Sequence, residues 1–236
     1  MEKIPNYIAI IFIVSTIATL LIVYWVVKNA LEENIRKKRL IIVMILFFWL
    51  FLQAFLSYKN IYINDLDSLP PKIFLFGVLP NIITIILLFK SRAGQSFIDA
   101  LSIEKLTYLN IVRIPIEVVL FQLFFHNAIP QIMTYYGWNF DIIFGITAPF
   151  VIYFGFIKKH IDKKTLLWWN IIGLCFLIFI FIIALLSAPF PLQCFAINQP
   201  NIGLLYFPFS WLPTFIVPIV IFAHLVSIRQ LIKNKL

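Results

Sequence analysis

Seven long apolar runs, separated by short polar connections, account for most of this chain. They fall at about Tyr7–Val27, Leu40–Ser57, Ile73–Phe89, Leu106–Phe125, Phe140–Ile157, Leu166–Ala188 and Pro208–Ile232. A helix of roughly 20 apolar residues spans the ~30 Å hydrocarbon core of a bilayer. The pattern therefore predicts an all-α, polytopic membrane protein, a bundle of seven transmembrane helices. Residues 1–236 read as a single seven-helix transmembrane domain with no soluble module.

The connections have their own signatures. Lys28 to Arg39 is charged and reads as helical, while Asp65, Asp67 and the Pro70-Pro71 pair mark a loop. The stretch Lys90 to Lys105 mixes Arg92, Gln95 and Asp99 with Phe97, Ile98 and Leu101, which suits a short helix lying in an interface. The link His126 to Asn139 holds no Lys or Arg, and Pro189 to Phe207 holds no charge at all.

Charge orients the bundle. Of the 19 Lys and Arg residues, fifteen lie in alternate connections and at the C-terminus, five, three, four and three in turn. Lys3, Lys59 and Lys72 lie on the other side, and Arg113 lies within the fourth run. By the positive-inside bias the N-terminus is outside and the C-terminus cytoplasmic. Trp25, Trp138, Trp168, Trp169 and Trp211 fall near the expected interfaces; Trp49 does not. The first run is too long for a signal-peptide core, so it reads as a retained span. The expected location is a multi-pass position in a cell membrane, the bacterial inner membrane in particular.

Composition narrows the partners. Hydrophobic residues are 62% of the chain and charged residues 12%, too little polar surface to cover a water-facing globule. The net charge of +9 punctuates the inner loops and forms no single patch, so it argues for anionic lipid headgroups as partners and against nucleic acid. Cys175 and Cys194 are expected at different depths, as two isolated thiols.

The candidate chemistry centres on the fourth run. Arg113 and Glu117 sit near its middle, four residues apart on one helix face with Asn110. A charged group at the bilayer centre costs about 2.5–3.5 kcal/mol on insertion scales, so such residues need a use or a partner. Pro115 between them removes a backbone hydrogen bond and can free a carbonyl. The pair has two readings: a ligand site near mid-membrane, or an internal ion pair that locks the bundle. Asn81 beside Pro80, and Thr147 beside Pro149, lie at compatible depth, with Gln53 and Gln122 further out. His126, Asn127, Tyr135, Tyr136, Trp138, Asn139 and Asp141 form an outer mouth. The expected site is a polar cavity opening outward, walled by the third, fourth, fifth and seventh spans, with Arg113, Glu117, Asn110, Asn81, Gln122, His126 and Asp141 as its ligand-binding residues. Pro208, Pro213 and Pro218 predict kinks in the last span.

Other chemistries are disfavoured. No HExxH, GxSxG or Walker glycine loop occurs, so no catalytic residue is assigned and an enzyme is the weaker reading. No motif names a cofactor. Retinal would need a mid-span lysine, which is missing. His126, His160 and His224 are spread too widely to share a metal; His224, toward the cytoplasmic end of the last run with Asn170 at similar depth, reads as a proton relay or metal ligand or, more plainly, as a hydrogen-bonded imidazole. The sequence thus points to a small molecule or ion bound within the membrane, with transport as its use. The alternative is a sensor or assembly subunit in which the charge pair is structural. A lipid-modifying enzyme built on His126 and Asp141 ranks last.

Overall fold

The computed structural model describes residues 4–233, so Lys3 and Lys235 of the charge reading lie outside the described residues. The fold is all-α. Its helices are α1 (Asn6–Lys28), α2 (Glu33–Lys37), α3 (Arg39–Tyr58), α4 (Phe74–Lys90), α5 (Arg92–Asp99), α6 (Ile103–Phe125), α7 (Asp141–Ile157), α8 (Lys163–Leu186) and α9 (Leu212–Lys233). Five of them, α1, α3, α6, α8 and α9, are long and apolar enough to cross a membrane. The shorter α4 and α7 occupy the third and fifth apolar runs. Cys175 and Cys194 are both free and exposed.

Two helices form the interior. Half of the most apolar stretch of α6 and 56% of that of α9 are buried within the protein, against 17% for α3. The polar residues follow this division. α3 turns Met44, Phe47, Phe48 and Phe51 outward, whereas α6 and α9 bury Arg113, Glu117 and His224.

Prolines leave backbone carbonyls without partners, and polar side chains of neighbouring helices take them up. Pro80 in α4 cannot donate to the carbonyl four residues back. That carbonyl, Phe76 O, instead accepts from Gln53 Nε2 of α3 at 3.1 Å. Gln53 Oε1 in turn accepts from the buried Tyr62 hydroxyl. Pro218 in α9 likewise frees Thr214 O, which accepts from Trp49 Nε1 at 2.8 Å and from Asn81 Nδ2 at 2.9 Å. The first turns of α4 and α9, Phe74–Val78 and Leu212–Ile216, are wide π-turns that pack on each other. Trp49, out of place as an interface residue, thus has a structural task. Replacing Asn81 by leucine is expected to cost about 1 kcal/mol, because Trp49 still serves the same carbonyl. Adding Trp49→Phe should raise the loss toward the ~1–3 kcal/mol of a buried unsatisfied group, read as a drop in thermal midpoint in detergent.

At the basic end, α4 breaks at Ser91 and α5 turns away by 89°. Ser91 caps α5, its Oγ accepting from Gly94 N–H at 3.1 Å. The last turns of α9 hold α5 in place. Gln230 Nε2 donates to Ile98 O and Leu101 O at 2.7 and 2.8 Å, and Arg229 and Lys233 both reach the Asp99 carboxylate. Burial pushes Asp99 upward, but hydrogen bonds from Lys233 and Arg229, reinforced by their charges, hold it below the usual carboxylate range. Its stabilisation is therefore present above the ordinary Asp range and is lost as acid protonates it. The pairs are partly exposed and screened, so Asp99→Asn should cost under ~1 kcal/mol near neutral pH. Melting curves of variant and wild type should converge in acid.

A buried ionic cluster as candidate functional site

Four helices bring ionisable and amide side chains together inside the bundle. Arg113 and Glu117 come from α6, Asp141 from the first turn of α7, Asn170 from α8 and His224 from α9. Arg113 and Asp141 are 5% exposed, Glu117 3% and His224 0%. Burial at that level makes every unpaired polar atom costly.

The side chains form a chain. Arg113 Nη2 lies 3.0 Å from His224 Nε2. A guanidinium only donates, so Nε2 accepts and the imidazole carries its proton on Nδ1. His224 Nδ1–H then donates to Asn170 Oδ1 at 3.0 Å, and Asn170 Nδ2 donates to Leu166 O at 2.9 Å. On its other side Arg113 Nη1 faces Asp141 Oδ1 at 3.6 Å, an ion pair too long for a hydrogen bond. Asp141 N–H donates to Asn139 Oδ1 at 3.1 Å, and Asn139 Nδ2 donates to Glu117 Oε1 at 2.6 Å. Arg113 and Glu117, one turn apart on α6, thus each take a partner from elsewhere.

Small residues give this cluster room. A Cβ on Gly173 of α8 would sit 2.8 Å from His224 Cε1, and one on Gly145 of α7 would sit 2.9 Å from Ile114 Cγ1. The guanidinium also lies over the Phe144 ring, 5.6 Å from its centroid, an attraction that strengthens when both groups are out of water.

The cluster is not self-satisfied. Arg113 Nε and Nη1, Glu117 Oε2 and Asp141 Oδ1 are buried and have no hydrogen-bond partner among the described residues. All three residues line one cavity of about 70 Å³, together with Asn139 and Met133 of the 126–140 loop. The rest of its wall is apolar and includes Leu177, Phe181, Leu204 and Ile216. At ~30 Å³ per water in the liquid, it holds about two waters or one small ion with its hydration.

The residues expected at the site divide. Arg113, Glu117 and Asp141 line the cavity. Asp141 is buried in the first turn of α7 and not set at an open mouth. Asn110 is buried close by along α6, where its Nδ2 donates to Thr107 O at 3.2 Å; it is not on the cavity wall. Asn81 spends both amide hydrogens on Gly77 O and Thr214 O and faces a different cavity. Gln122 Oε1 accepts from Tyr7 OH at 3.1 Å, and His126 follows the last residue of α6; neither lines the cavity. The walls are also corrected. The sixth apolar run, α8, stands where the third was expected, because an all-apolar wall carries no polar residue to announce it. α6 tightens into a 3₁₀ turn over Tyr108–Val112 and continues as α-helix through Pro115.

His224 was read apart from Arg113. Helix lengths hold the missing signal. Counted from the basic ends of their helices, Arg113 is ten residues in, His224 nine and Asn170 seven. At 1.5 Å per residue these depths agree within one turn.

The fold and site define a class: a chain that is all-α over the described residues, five of whose helices there are long and apolar enough to cross a membrane, with a buried ionic cluster. The chain belongs to the family described as "Domain of unknown function (DUF8737)", which matches residues 72–232. That span runs from α4 through all but the last residue of α9 and includes every residue of the cluster. No curated protein and no solved structure matches the chain.

Proposed function

We propose that this is a multi-pass membrane protein of seven membrane helices that binds a small cation, a proton in the simplest case, in the cavity beside Arg113. Transport across the membrane is the use that follows. In this reading α4 and α7 are the third and fifth spans, since helices of this length sit at the lower limit of roughly 17 residues for crossing. The lysine-rich ends face the cytoplasm, and the cavity lies toward the outer loops that contribute Met133, Asn139 and Leu204 to its wall.

The observation that carries the proposal is a set of four buried polar atoms, on three residues that line one cavity, that make no hydrogen bond among the described residues; two of them, Arg113 Nη1 and Asp141 Oδ1, meet only as an ion pair at 3.6 Å. Native structures satisfy such groups with water or ligand. Charge counting supports a cation: two carboxylates face one guanidinium, and the imidazole is neutral. One positive charge is missing from the cluster. A proton, or a hydrated monovalent ion, restores the balance in the cavity that Glu117 and Asp141 both line.

The test is flux. Purified protein in lipid vesicles with a trapped pH dye is given a pH gradient, with sodium or potassium on one side. Dye response above that of protein-free vesicles supports the proposal. Indistinguishable traces with every cation remove the transport reading. A second reading has its own support in the two-sided bonding of His224, which ties α6, α8 and α9 together. There the cluster is a structural lock of a sensor or assembly subunit. A partner protein recovered in equal amount from mild detergent, with no flux, would favour it.

A further inference from the structure

A second cavity has no part in the cluster. It encloses about 340 Å³ between α1, α3, α4, α6 and α9, within the size of a ligand pocket. Its wall carries two polar side chains, and both are engaged: Asn81 with Gly77 O and Thr214 O, and Thr84 Oγ1 with Pro80 O at 2.8 Å. Neither side chain has a donor hydrogen to spare for a ligand. Water does not fill an apolar space of this kind, and an empty one forfeits the dispersion contacts of its whole lining.

The cavity has a side opening and a basic rim. Ile45 of α3 and Thr84 of α4 line it and are exposed, so the gap between these two helices leads to the apolar outer face of the bundle. At the end away from Gln53 the helices around it begin or end in cations. Arg39 opens α3 one turn before the lining residue Ile42; Lys90 closes α4 two residues after Leu88; Arg92 opens α5. Arg39 Nη1 donates to Arg36 O at 2.9 Å, while its Nε is buried with no partner among the described residues.

We propose that this cavity holds one acyl chain of an anionic phospholipid of the cytoplasmic leaflet, with the phosphate on Arg39, Lys90 and Arg92. The inference rests on the membrane reading above but not on ion binding. An acyl chain is the apolar molecule that reaches a side opening in a bilayer, and clustered Lys and Arg favour an anionic headgroup at the inner surface. The bound chain would splint α3, which is the most peripheral of the long helices, to α4.

Native mass spectrometry of the full chain, exchanged in mild detergent against phosphatidylglycerol or phosphatidylcholine, tests this. One retained phosphatidylglycerol is expected on wild type and on Glu117→Gln, which separates the lipid site from the ion site. Thr84→Trp, at an exposed position in the opening, and Ile219→Trp, inside the cavity, should each lose the adduct. Arg39→Gln should lose the preference for phosphatidylglycerol. The proposal is overturned if wild type retains no lipid, if phosphatidylcholine is held as firmly, or if both tryptophan variants keep the adduct.

Discussion

Replacing Arg113 by leucine is expected to destabilise the protein by about 3–5 kcal/mol, the range for removing one member of a buried charged network. The loss exceeds that of a deleted hydrogen bond because three groups are stranded at once. Asp141 loses its ion pair at 3.6 Å, His224 Nε2 loses its donor at 3.0 Å, and Glu117 loses a positive neighbour across the cavity they share. Thermal unfolding in detergent checks this, with the monodisperse fraction after heating as the readout. Arg113→Lys should recover only part of the stability. An ammonium keeps the charge but lacks the fork that serves His224 and Asp141 together. Adding Asp141→Asn to Arg113→Leu should also recover part of the loss, since it removes one stranded carboxylate, and the non-additivity measures their coupling.

Glu117→Gln is expected to do the opposite: stability is kept while cation flux falls to the level of protein-free vesicles. A glutamine Oε1 accepts from Asn139 Nδ2 as the carboxylate does at 2.6 Å, so the loop stays docked. The substitution leaves one carboxylate against one guanidinium. The cluster is then balanced without an added cation, and the reason to bind one is gone. Unaltered flux in this variant would take Glu117 out of the ion path. Severe unfolding would show that its charge is structural, as the lock reading requires.

Much of the fold was legible as helix lengths. The run read as Tyr7–Val27 is α1 at Asn6–Lys28, and the run read as Leu40–Ser57 is α3 at Arg39–Tyr58. Apolar continuity decides such boundaries, and nothing nonlocal competes with it. The charged link after the first span does form a short helix, and the mixed stretch after Lys90 holds α5. At the site, Arg113, Glu117 and Asp141 were legible because ionisable groups stand out against an apolar background. Their partners were less so. Pairing Arg113 with Glu117 on one helix face was a local inference, and tertiary contacts overrode it: Asn139 comes from a loop and His224 from a helix over a hundred residues away. Asn81 and Gln53 were visible as polar residues within apolar runs, and Trp49 as a tryptophan away from the interfaces, but their task was not. It depends on which neighbouring carbonyl a proline has freed, and only helix packing reveals that.

The most direct test of the account is the density in the cavity bounded by Arg113, Glu117 and Asp141, in an experimental map of the protein in lipid nanodiscs. The account predicts ordered water within hydrogen-bonding reach of Glu117 Oε2 and Arg113 Nη1, or a cation on the carboxylates of Glu117 and Asp141, connected toward the 126–140 loop. A collapsed cavity, with the guanidinium bonded directly to both carboxylates and packed round by Leu177, Phe181 and Ile216, would contradict it.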